Sequence, residues 1–324
     1  MRLTLNTVQE IGADAARELA KHSGVVSLPA VESLSAEAAK ELVTPNGTLL
    51  SLRGLSDLSP EVARAMTGCG RTWLELGIND LPADIAAILA ACRGSLSFPN
   101  LKSLSMESAE ALQAHSGQFA ALDFGRAIIT QQVAETLLGH EGPLGLSDAD
   151  RLEPGVEDVF ARHKASVNVM LVEIHSVPLA RKLFCKNMSA SSSVCRLRTM
   201  SPEIAAEYVR CQPGYLISLD TLPADTAREF AKDTQDIDLP ALTQLTPEVA
   251  TALTDRQPAV YLRGLKTLDG PDAVAVAEAL ASTPAPVYMP FLERVSDAAL
   301  AALRKKATIT IPPDEKLTIV PSAP

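Results

Sequence analysis

Histidine and cysteine are residue types that can transfer protons, act as nucleophiles or bind a metal ion. The chain has five of each: His22, His115, His140, His163 and His175, and Cys69, Cys92, Cys185, Cys195 and Cys211. They form no C-x-x-C or H-E-x-x-H motif, and no G-x-S-x-G motif occurs. The sequence therefore gives no support for a zinc protease, a redox motif or a serine hydrolase.

Most of these residues recur at one position of a sequence repeat. His22, His115 and His163 each follow the last apolar residue of a predicted helix by three residues. His140 lies within one residue of that position, and Cys69, Cys92 and Cys211 share it. A residue type fixed by repeat position is expected at a helix-end turn, where His is tolerated near the last carbonyl groups. We therefore predict no catalytic residue, no metal and no cofactor, and only a slight loss of stability when Ala replaces these histidines.

His175 departs from this pattern because it occupies a position that is Leu in other repeats. A buried polar side chain needs a hydrogen-bond partner, so the sequence predicts a satisfied core histidine. A functional histidine is the alternative. Cys185 and Cys195 have no motif around them and receive no role.

A repeat of about 23 residues organises the chain. Segments 26–42, 50–66 and 237–253 follow the pattern L-x-L-x-x-L-x-x-L-[ST]-P-E-x-A-x-x-L. The second apolar position of this pattern recurs at Leu5, Leu28, Leu52, Leu76, Phe98, Phe124, Leu146, Val169, Val194, Ile217, Leu239, Leu262, Met289 and Ile309. These positions predict about 14 repeats.

Each repeat combines the patterns of a strand and a helix. The opening x-L-x-L alternates with period two, which favours a short strand with its Leu side chains inward. Ser59-Pro-Glu61, Ser201-Pro-Glu203 and Thr246-Pro-Glu248 then predict helix starts, with an N-cap hydroxyl, a proline and an acidic first turn. Glycines such as Gly24, Gly94 and Gly117 are predicted to turn the chain after the helix.

One short strand and one short helix cannot bury a core alone, so the repeats must stack. The sequence predicts an α/β fold: a right-handed β-α solenoid of about 14 repeats. Parallel strands are expected on its concave face and short helices on its convex face. We expect one solenoid domain over 1–311, and a C-terminal tail over 312–324 because Pro312-Pro313 ends the last strand.

The pattern L-x-L-x-x-L-x-x-L followed by a helical half resembles the leucine-rich repeat, in a form common in bacterial proteins. It differs from the family at one position, three residues after the second Leu, where the usual pattern has Asn or Cys. This chain has apolar residues there: Val8, Val31, Leu55, Leu101, Val172, Leu197, Leu242, Leu265 and Leu292. The backbone of the turn must then find other partners. The resemblance implies a binding surface rather than an enzyme.

Composition and charge narrow the possible partners and location. The net charge is −10 and the pI is near 5.1, which disfavours nucleic acid as a partner because phosphate binding needs surplus Lys and Arg. The sequence shows no secretory signal and no apolar run that could span a membrane, so no membrane partner is predicted. Five cysteines are too few, and odd in number, for a disulfide scaffold, which favours a reduced compartment. We therefore predict a cytoplasmic protein.

Two groups of residues are candidates for binding. Tyr261 and Tyr288 occupy the outward position of adjacent predicted strands, Arg263 should share their face and Phe291 borders it. The alternative is that Tyr is simply a good strand residue. Residues 163–198 hold six basic residues against Glu173 alone, so Arg181, Lys182 and Lys186 could dock an acidic segment or form a solvated edge.

The function that follows is a non-enzymatic protein-protein or peptide interaction module that uses the strand face. The alternative is a structural, self-associating repeat segment of a larger assembly, paired end to end. Leu3 and Leu5 support this alternative, because no polar cap precedes them and solenoid ends are normally capped.

Overall fold

The computed structural model describes residues 1–43, 48–68, 73–116, 120–153, 155–186, 197–211, 218–253 and 258–322. The chain divides into two compact units, Met1–Met170 and Leu171–Pro324. The boundaries of a single domain over 1–311 stay a prediction. The predicted repeats at Val194 and Ile217, as well as Cys69, Cys195 and Gly117, lie outside the described residues.

The first unit is a single parallel sheet with helices between its strands. Its eight strands pair in chain order, from β1 to β8. The strands are β1 (Arg2–Thr4), β2 (Val25–Ser27), β3 (Leu49–Leu52), β4 (Trp73–Leu76), β5 (Leu96–Ser97), β6 (Leu122–Asp123), β7 (Leu144–Leu146) and β8 (Val167–Val169). The helices are α1 (Ala13–Ala20), α2 (Ala36–Leu42), α3 (Pro60–Met66), α4 (Ala83–Leu89), α5 (Met106–Leu112), α6 (Gln131–Leu137) and α7 (Val156–Arg162).

The strand register agrees with the sequence repeat. Leu52 pairs with Leu76, and Leu146 pairs with Val169. The repeats at Phe124 and Val169 also contain strands, because Phe124 directly follows β6 and Val169 ends β8. These side chains form the core: Leu28, Leu52, Leu76, Phe98, Phe124, Leu146 and Val169 are at most 1% exposed.

Hydroxyl side chains cap several of the helices, as their sequences predict. Ser59 Oγ accepts a hydrogen bond from the Val62 N–H at 3.3 Å at the start of α3. Ser201 makes the equivalent bond to Ile204 at 3.4 Å. Proline occupies the first helical position after Ser59, where its missing N–H would have had no partner within the helix.

The turn after each of these strands is closed by a hydrogen bond within its own backbone. The backbone therefore needs no Asn side chain at the position where the usual repeat pattern has one. The apolar residue at that position donates its N–H to the carbonyl three residues earlier. Leu55 donates to Leu52 O at 3.2 Å, and Leu101 donates to Phe98 O at 3.2 Å. Leu55 and Leu101 are buried. One asparagine adds a longer link, because Asn100 Nδ2 donates to the carbonyl oxygens of both Arg53 and Gly77.

The second unit begins with helices and ends with two small parallel sheets. Its helices are α8 (Val177–Lys186), α9 (Pro202–Cys211), α10 (Ala224–Ala231), α11 (Pro247–Ala252), α12 (Ala273–Ser282) and α13 (Asp297–Leu303). Its strands are β9 (Ile237–Asp238), β10 (Val260–Tyr261), β11 (Thr267–Leu268), β12 (Val287–Tyr288), β13 (Arg294–Ser296), β14 (Ile309–Thr310) and β15 (Thr318–Val320). One sheet has the order β14-β12-β10-β9 and the other β11-β13-β15.

The C-terminal region differs from its sequence-based prediction in two ways. Val287 pairs with Ile309 and Tyr288 with Thr310, so Ile311 rather than Ile309 aligns with Met289. The last repeat was therefore placed two residues too early. In addition, strand β15 lies within the tail expected over 312–324 and pairs with β13, so part of this stretch belongs to a sheet.

His175 is exposed, and the prediction that it is a core residue is wrong. Its Nε2 lies 3.5 Å from Glu173 Oε1. Ile174, one residue earlier, is 4% exposed and occupies the core in its place. An apolar side chain was available at the neighbouring position, so the imidazole remains in solvent.

Candidate binding face

The rings of Tyr261 and Tyr288 stack on one face of the β14-β12-β10-β9 sheet. Parallel pairing aligns Tyr261 of β10 directly with Tyr288 of β12. The ring centroids lie 4.7 Å apart and the ring planes differ by 10°. Both side chains are half-buried, so one ring face or edge of the pair remains accessible. The sequence correctly placed these two tyrosines on adjacent strands.

Arg263 is held over this stack by two contacts. Its guanidinium carbon lies 5.6 Å from the centroid of the Tyr261 ring, which is cation–π distance. Its Nη1 lies 3.4 Å from Asp238 Oδ2, on the strand that pairs with β10 on its other side. The side chain is still 47% exposed. We call Asp238, Tyr261, Arg263 and Tyr288 the tyrosine face.

Burial raises the pKa of Asp238, and the nearby Arg263 guanidinium acts in the opposite direction. Asp238 Oδ1 is buried and has no hydrogen-bond partner among the described residues. Phe291, three residues after Tyr288, is 56% exposed and provides an apolar group that a partner could cover.

The three basic candidates have different environments. Arg181 is exposed but bonds Glu207 Oε1 at 2.7 Å through Nη2. Lys182 is only 8% exposed, which leaves little of it for a partner. The side chain of Lys186 lies outside the described part of the chain. Arg198, from the same basic segment, has its Nε 4.0 Å from Asp220 Oδ2. The positive charge of this segment is therefore partly offset by acidic residues that are distant in sequence.

The strand face of the first unit carries hydrogen-bonded polar side chains. Glu75 accepts hydrogen bonds from Ser51 Oγ and, at 2.6 Å, from Arg53 Nη2. Burial opposes ionisation of Glu75, but these donors outweigh it and lower its pKa. A second group joins Ser97 and Ser147 to Asp123 Oδ2 at 3.2 and 2.7 Å.

Sequence analysis did not predict these links, in which the two serines Ser51 and Ser97 are nearly fully buried. The signal that could have predicted these links is the spacing of the serine and acidic residues, which are about one repeat apart in the sequence.

Four histidines link successive repeats through their side chains. The Nε2 atom of each contacts a backbone carbonyl 20 or 21 residues earlier: His22 to Met1 at 3.3 Å, His115 to Gly94 at 2.8 Å, His140 to Ala120 at 3.0 Å and His163 to Gly142 at 2.9 Å. A carbonyl can only accept, so the ring nitrogen donates. These residues are at helix ends as predicted, and we call them the histidine ladder.

Burial disfavours the charged form of His115 and His140. It lowers the pKa of His140 to about 4, and the neighbouring His115 contributes to that shift. Burial also lowers the pKa of His115, although the bond to Gly94 opposes it. Neutral imidazoles bonded to backbone carbonyls serve a structural purpose.

Cys185 and Cys211 form a disulfide between the C-terminal ends of α8 and α9. The disulfide corrects two expectations from the sequence. Sequence analysis assigned no role to Cys185, and it interpreted Cys211 as a simple helix-end residue. It also weakens the argument for a reduced compartment. By contrast Cys92, in the same helix-end column, keeps a buried thiol that contacts Met66 O at 3.7 Å.

No group of three or more His, Cys, Asp or Glu side chains in the described ranges is arranged to hold a metal ion. No helix within these ranges has the length and apolar character needed to cross a bilayer.

The sequence matches no family model and none of the curated proteins. Solved structures that this chain matches include the Toll–Spatzle complex of Drosophila (13% identity, TM-score 0.41, 89% of this chain and 42% of that chain). They also include the yeast Rad7–Elc1 complex (14%, 0.40, 91% and 80%) and an internalin of Listeria monocytogenes (13%, 0.25, 92% and 68%).

The chain thus spans less than half of the first of these structures. Within this chain, short parallel strands alternate with helices, which is consistent with a leucine-rich-repeat-like fold.

Proposed function

We propose that this chain is a non-enzymatic interaction module that binds a protein or peptide through the tyrosine face. The observation that carries this proposal is the Tyr261–Tyr288 stack with Arg263 against it. Two aromatic rings fixed by strand pairing lose little conformational entropy on binding. Tyr and Arg are also the residue types enriched at interface hot spots.

The contacts of Arg263 suggest what a partner would offer. An aliphatic or aromatic side chain would cover the tyrosine rings, while a carbonyl or carboxylate oxygen would accept from the exposed part of the guanidinium. The Asp238 contact pre-orders Arg263 for that bond. Phe291 would extend the apolar contact. Arg181, the exposed member of the basic candidates, is the alternative contact for an acidic partner.

The histidine ladder supports a non-enzymatic role. His115, His140 and His163 are buried and donate to backbone carbonyls, so they are poorly placed to exchange protons with a substrate.

The test compares proteins captured from lysate by the wild-type chain and by two variants, with quantification by mass spectrometry. The first variant is Tyr261→Ala/Tyr288→Ala/Arg263→Ala. The control is Trp73→Ala, which removes another exposed aromatic residue, 40% exposed, from a strand of the first unit.

A protein that binds the wild-type chain and the control but not the triple variant supports the proposal, and its affinity should fall by roughly thirtyfold or more. Equal capture by all three chains would refute the tyrosine face as the binding surface. Circular dichroism should show that the triple variant is folded.

Several finer features belong to the same proposal. We propose a right-handed solenoid of about 14 repeats, with strands on its concave face and helices on its convex face. We also propose a bacterial, cytoplasmic protein whose partners are neither nucleic acids nor membranes. The net charge of −10 supports the exclusion of nucleic acid.

The second candidate function is self-association as a structural segment. In the described sheet, strand β1 pairs with a neighbour on one side only. Leu3 and Leu5 are half-buried, whereas the equivalent side chains of the later repeats, such as Leu52, are fully buried. Light scattering separates the two candidates, because a mass that does not change with concentration would count against end-to-end pairing.

A further inference from the structure

The disulfide between Cys185 and Cys211 is accessible and has a cation beside it. The Cα atoms of the two cysteines are 4.9 Å apart, within the usual range for disulfides. Cys185 is exposed and Cys211 is half-buried. Arg210 Nη2 donates to Cys185 Sγ at 3.5 Å. A thiol reagent can therefore approach at least one of the two sulfur atoms.

The charges next to the disulfide do not balance. Glu207 accepts bonds from Arg210 and from Arg181, whose Nη2 lies 2.7 Å from Oε1. These two guanidinium groups lower the pKa of Glu207 to about 2, although burial acts in the opposite direction. The hydrogen bond from Arg181 has the largest effect. One carboxylate is therefore shared by two guanidinium groups, so Glu207 only partly neutralises the Arg210 guanidinium beside Cys185.

We propose that the Cys185–Cys211 disulfide is a reversible redox site that a dithiol reductant opens, with Arg210 assisting the exchange. This inference is independent of the tyrosine face. It assigns a modification site to helices α8 and α9, and its chemical partner is a vicinal or otherwise paired dithiol, either a small molecule or a protein.

The exchange proceeds in two steps. A thiolate of the reductant attacks the exposed Cys185 sulfur, the disulfide bond breaks, and Cys211 leaves as a thiolate that takes up a proton. The second thiolate of the reductant then attacks the reductant sulfur that is bonded to Cys185. The mixed disulfide breaks, and Cys185 is released as a thiolate. The reductant loses two electrons and becomes a disulfide, while the two cysteines gain them.

Arg210 favours both steps electrostatically. Its guanidinium attracts the anionic reductant during the first step. In the second step it stabilises the departing Cys185 thiolate, because a cation next to a sulfur lowers the pKa of the thiol. Cys92 lacks these features, since it is 1% exposed and faces a backbone carbonyl.

The test follows reduction by dithiothreitol in a Cys69→Ser/Cys195→Ser background, purified in air without reductant. Timed samples are alkylated in denaturant and the number of modified cysteines is determined by mass spectrometry. Before reduction one cysteine, Cys92, should be alkylated. After reduction under native conditions Cys185 and Cys211 should be alkylated as well.

Variants of arginine test the role assigned to Arg210. Arg210→Gln should slow the reduction about twofold to fivefold, the size of an exposed charge interaction, while Arg210→Lys should keep most of the rate. Arg304→Gln is the control, because it removes a similarly exposed guanidinium directly after α13 and should leave the rate unchanged.

Three outcomes would overturn the proposal: three alkylated cysteines before any reductant is added, reduction only in denaturant, or equal rates for Arg210→Gln and the unmodified background. Circular dichroism of each variant excludes misfolding as the cause of a changed rate. If Arg210→Gln fails to fold, Arg210→Met replaces it, because Met keeps most of the side-chain length without the charge, and a rate equal to that of Arg210→Lys would overturn the role assigned to Arg210.

Discussion

The imidazole rings of His115 and His140 stack in the first unit, with their centroids 5.6 Å apart and their planes within 20°. Each ring also donates to a carbonyl of the preceding repeat, so each of these buried side chains makes contacts in two directions. Their Nδ1 atoms are buried and have no partner among the described residues. This arrangement suits neutral rings, and protonation would place two positive charges side by side.

Acid should therefore destabilise the protein in a defined pH range. The folded-state pKa of His140 is about 4, below the value of about 6.5 for an accessible histidine. The unfolded chain binds more protons between these values, so the free energy of unfolding is highest above pH 6.5 and falls as the pH decreases to 4. His140 should contribute about 3 kcal/mol to this loss, measured by urea denaturation across the range. A His140→Gln variant should show a shallower pH dependence; an unchanged slope would contradict the assignment.

Replacement of His115 by Ala should cost more than replacement of His22. His115 is fully buried, so the substitution creates a cavity and removes the partner of Gly94 O. We expect a loss of about 2–4 kcal/mol, which is larger than the sequence-based expectation. His22 is half-buried with a longer contact, and its loss should stay below about 1 kcal/mol. Denaturant titration of both variants measures the difference; similar losses would argue against a buried structural role.

Gly77 should not tolerate a side chain. A Cβ atom there would lie 1.8 Å from Arg53 O, a backbone atom of the preceding repeat. Gly77→Ala should reduce the free energy of unfolding by about 2–4 kcal/mol because the two repeats must move apart. Gly270→Ala is the matched control, since no heavy atom lies within 4 Å of its Cβ, and it should change stability by less than about 0.5 kcal/mol. Equal thermal stability of the two variants would show that the backbones are less closely packed.

Loss of a helix cap should have a moderate and local effect. Ser59→Ala removes the bond to the Val62 N–H, and Thr246→Ala removes the bond to the Val249 N–H. Each should cost about 1 kcal/mol, measured by chemical denaturation. The two losses should add in the double variant, because the caps share no partner. Ser23→Ala, at an exposed position before β2, serves as the control and should have little effect.

Sequence analysis recovered the strands and helix starts because both depend on local patterns. The alternation around Leu52 and the Ser59-Pro-Glu61 cap each determine their own element without reference to distant residues. The last repeat was misplaced for the same reason. Ile309 and Ile311 alternate with threonine, so both positions satisfy the pattern, and only pairing with Val287 and Met289 distinguishes them.

The features that were missed depend on contacts between repeats. The disulfide needs the ends of α8 and α9 to meet, and cysteines 26 residues apart do not reveal this. The partners of Glu207 are likewise distributed over two helices. The positions of Tyr261 and Tyr288 could be predicted because they follow the repeat itself, whereas the Asp238 contact that orients Arg263 required the structure.

The histidine ladder also bears on how such a chain can change its length during evolution. Each ring contacts a carbonyl only 20 or 21 residues earlier, so every bond stays between one repeat and the one before it. Unequal recombination that duplicates or deletes a whole repeat would therefore preserve the remaining bonds. A gene of this type can gain or lose repeats as complete units, whereas an insertion of a few residues between a histidine and its carbonyl would break one of them.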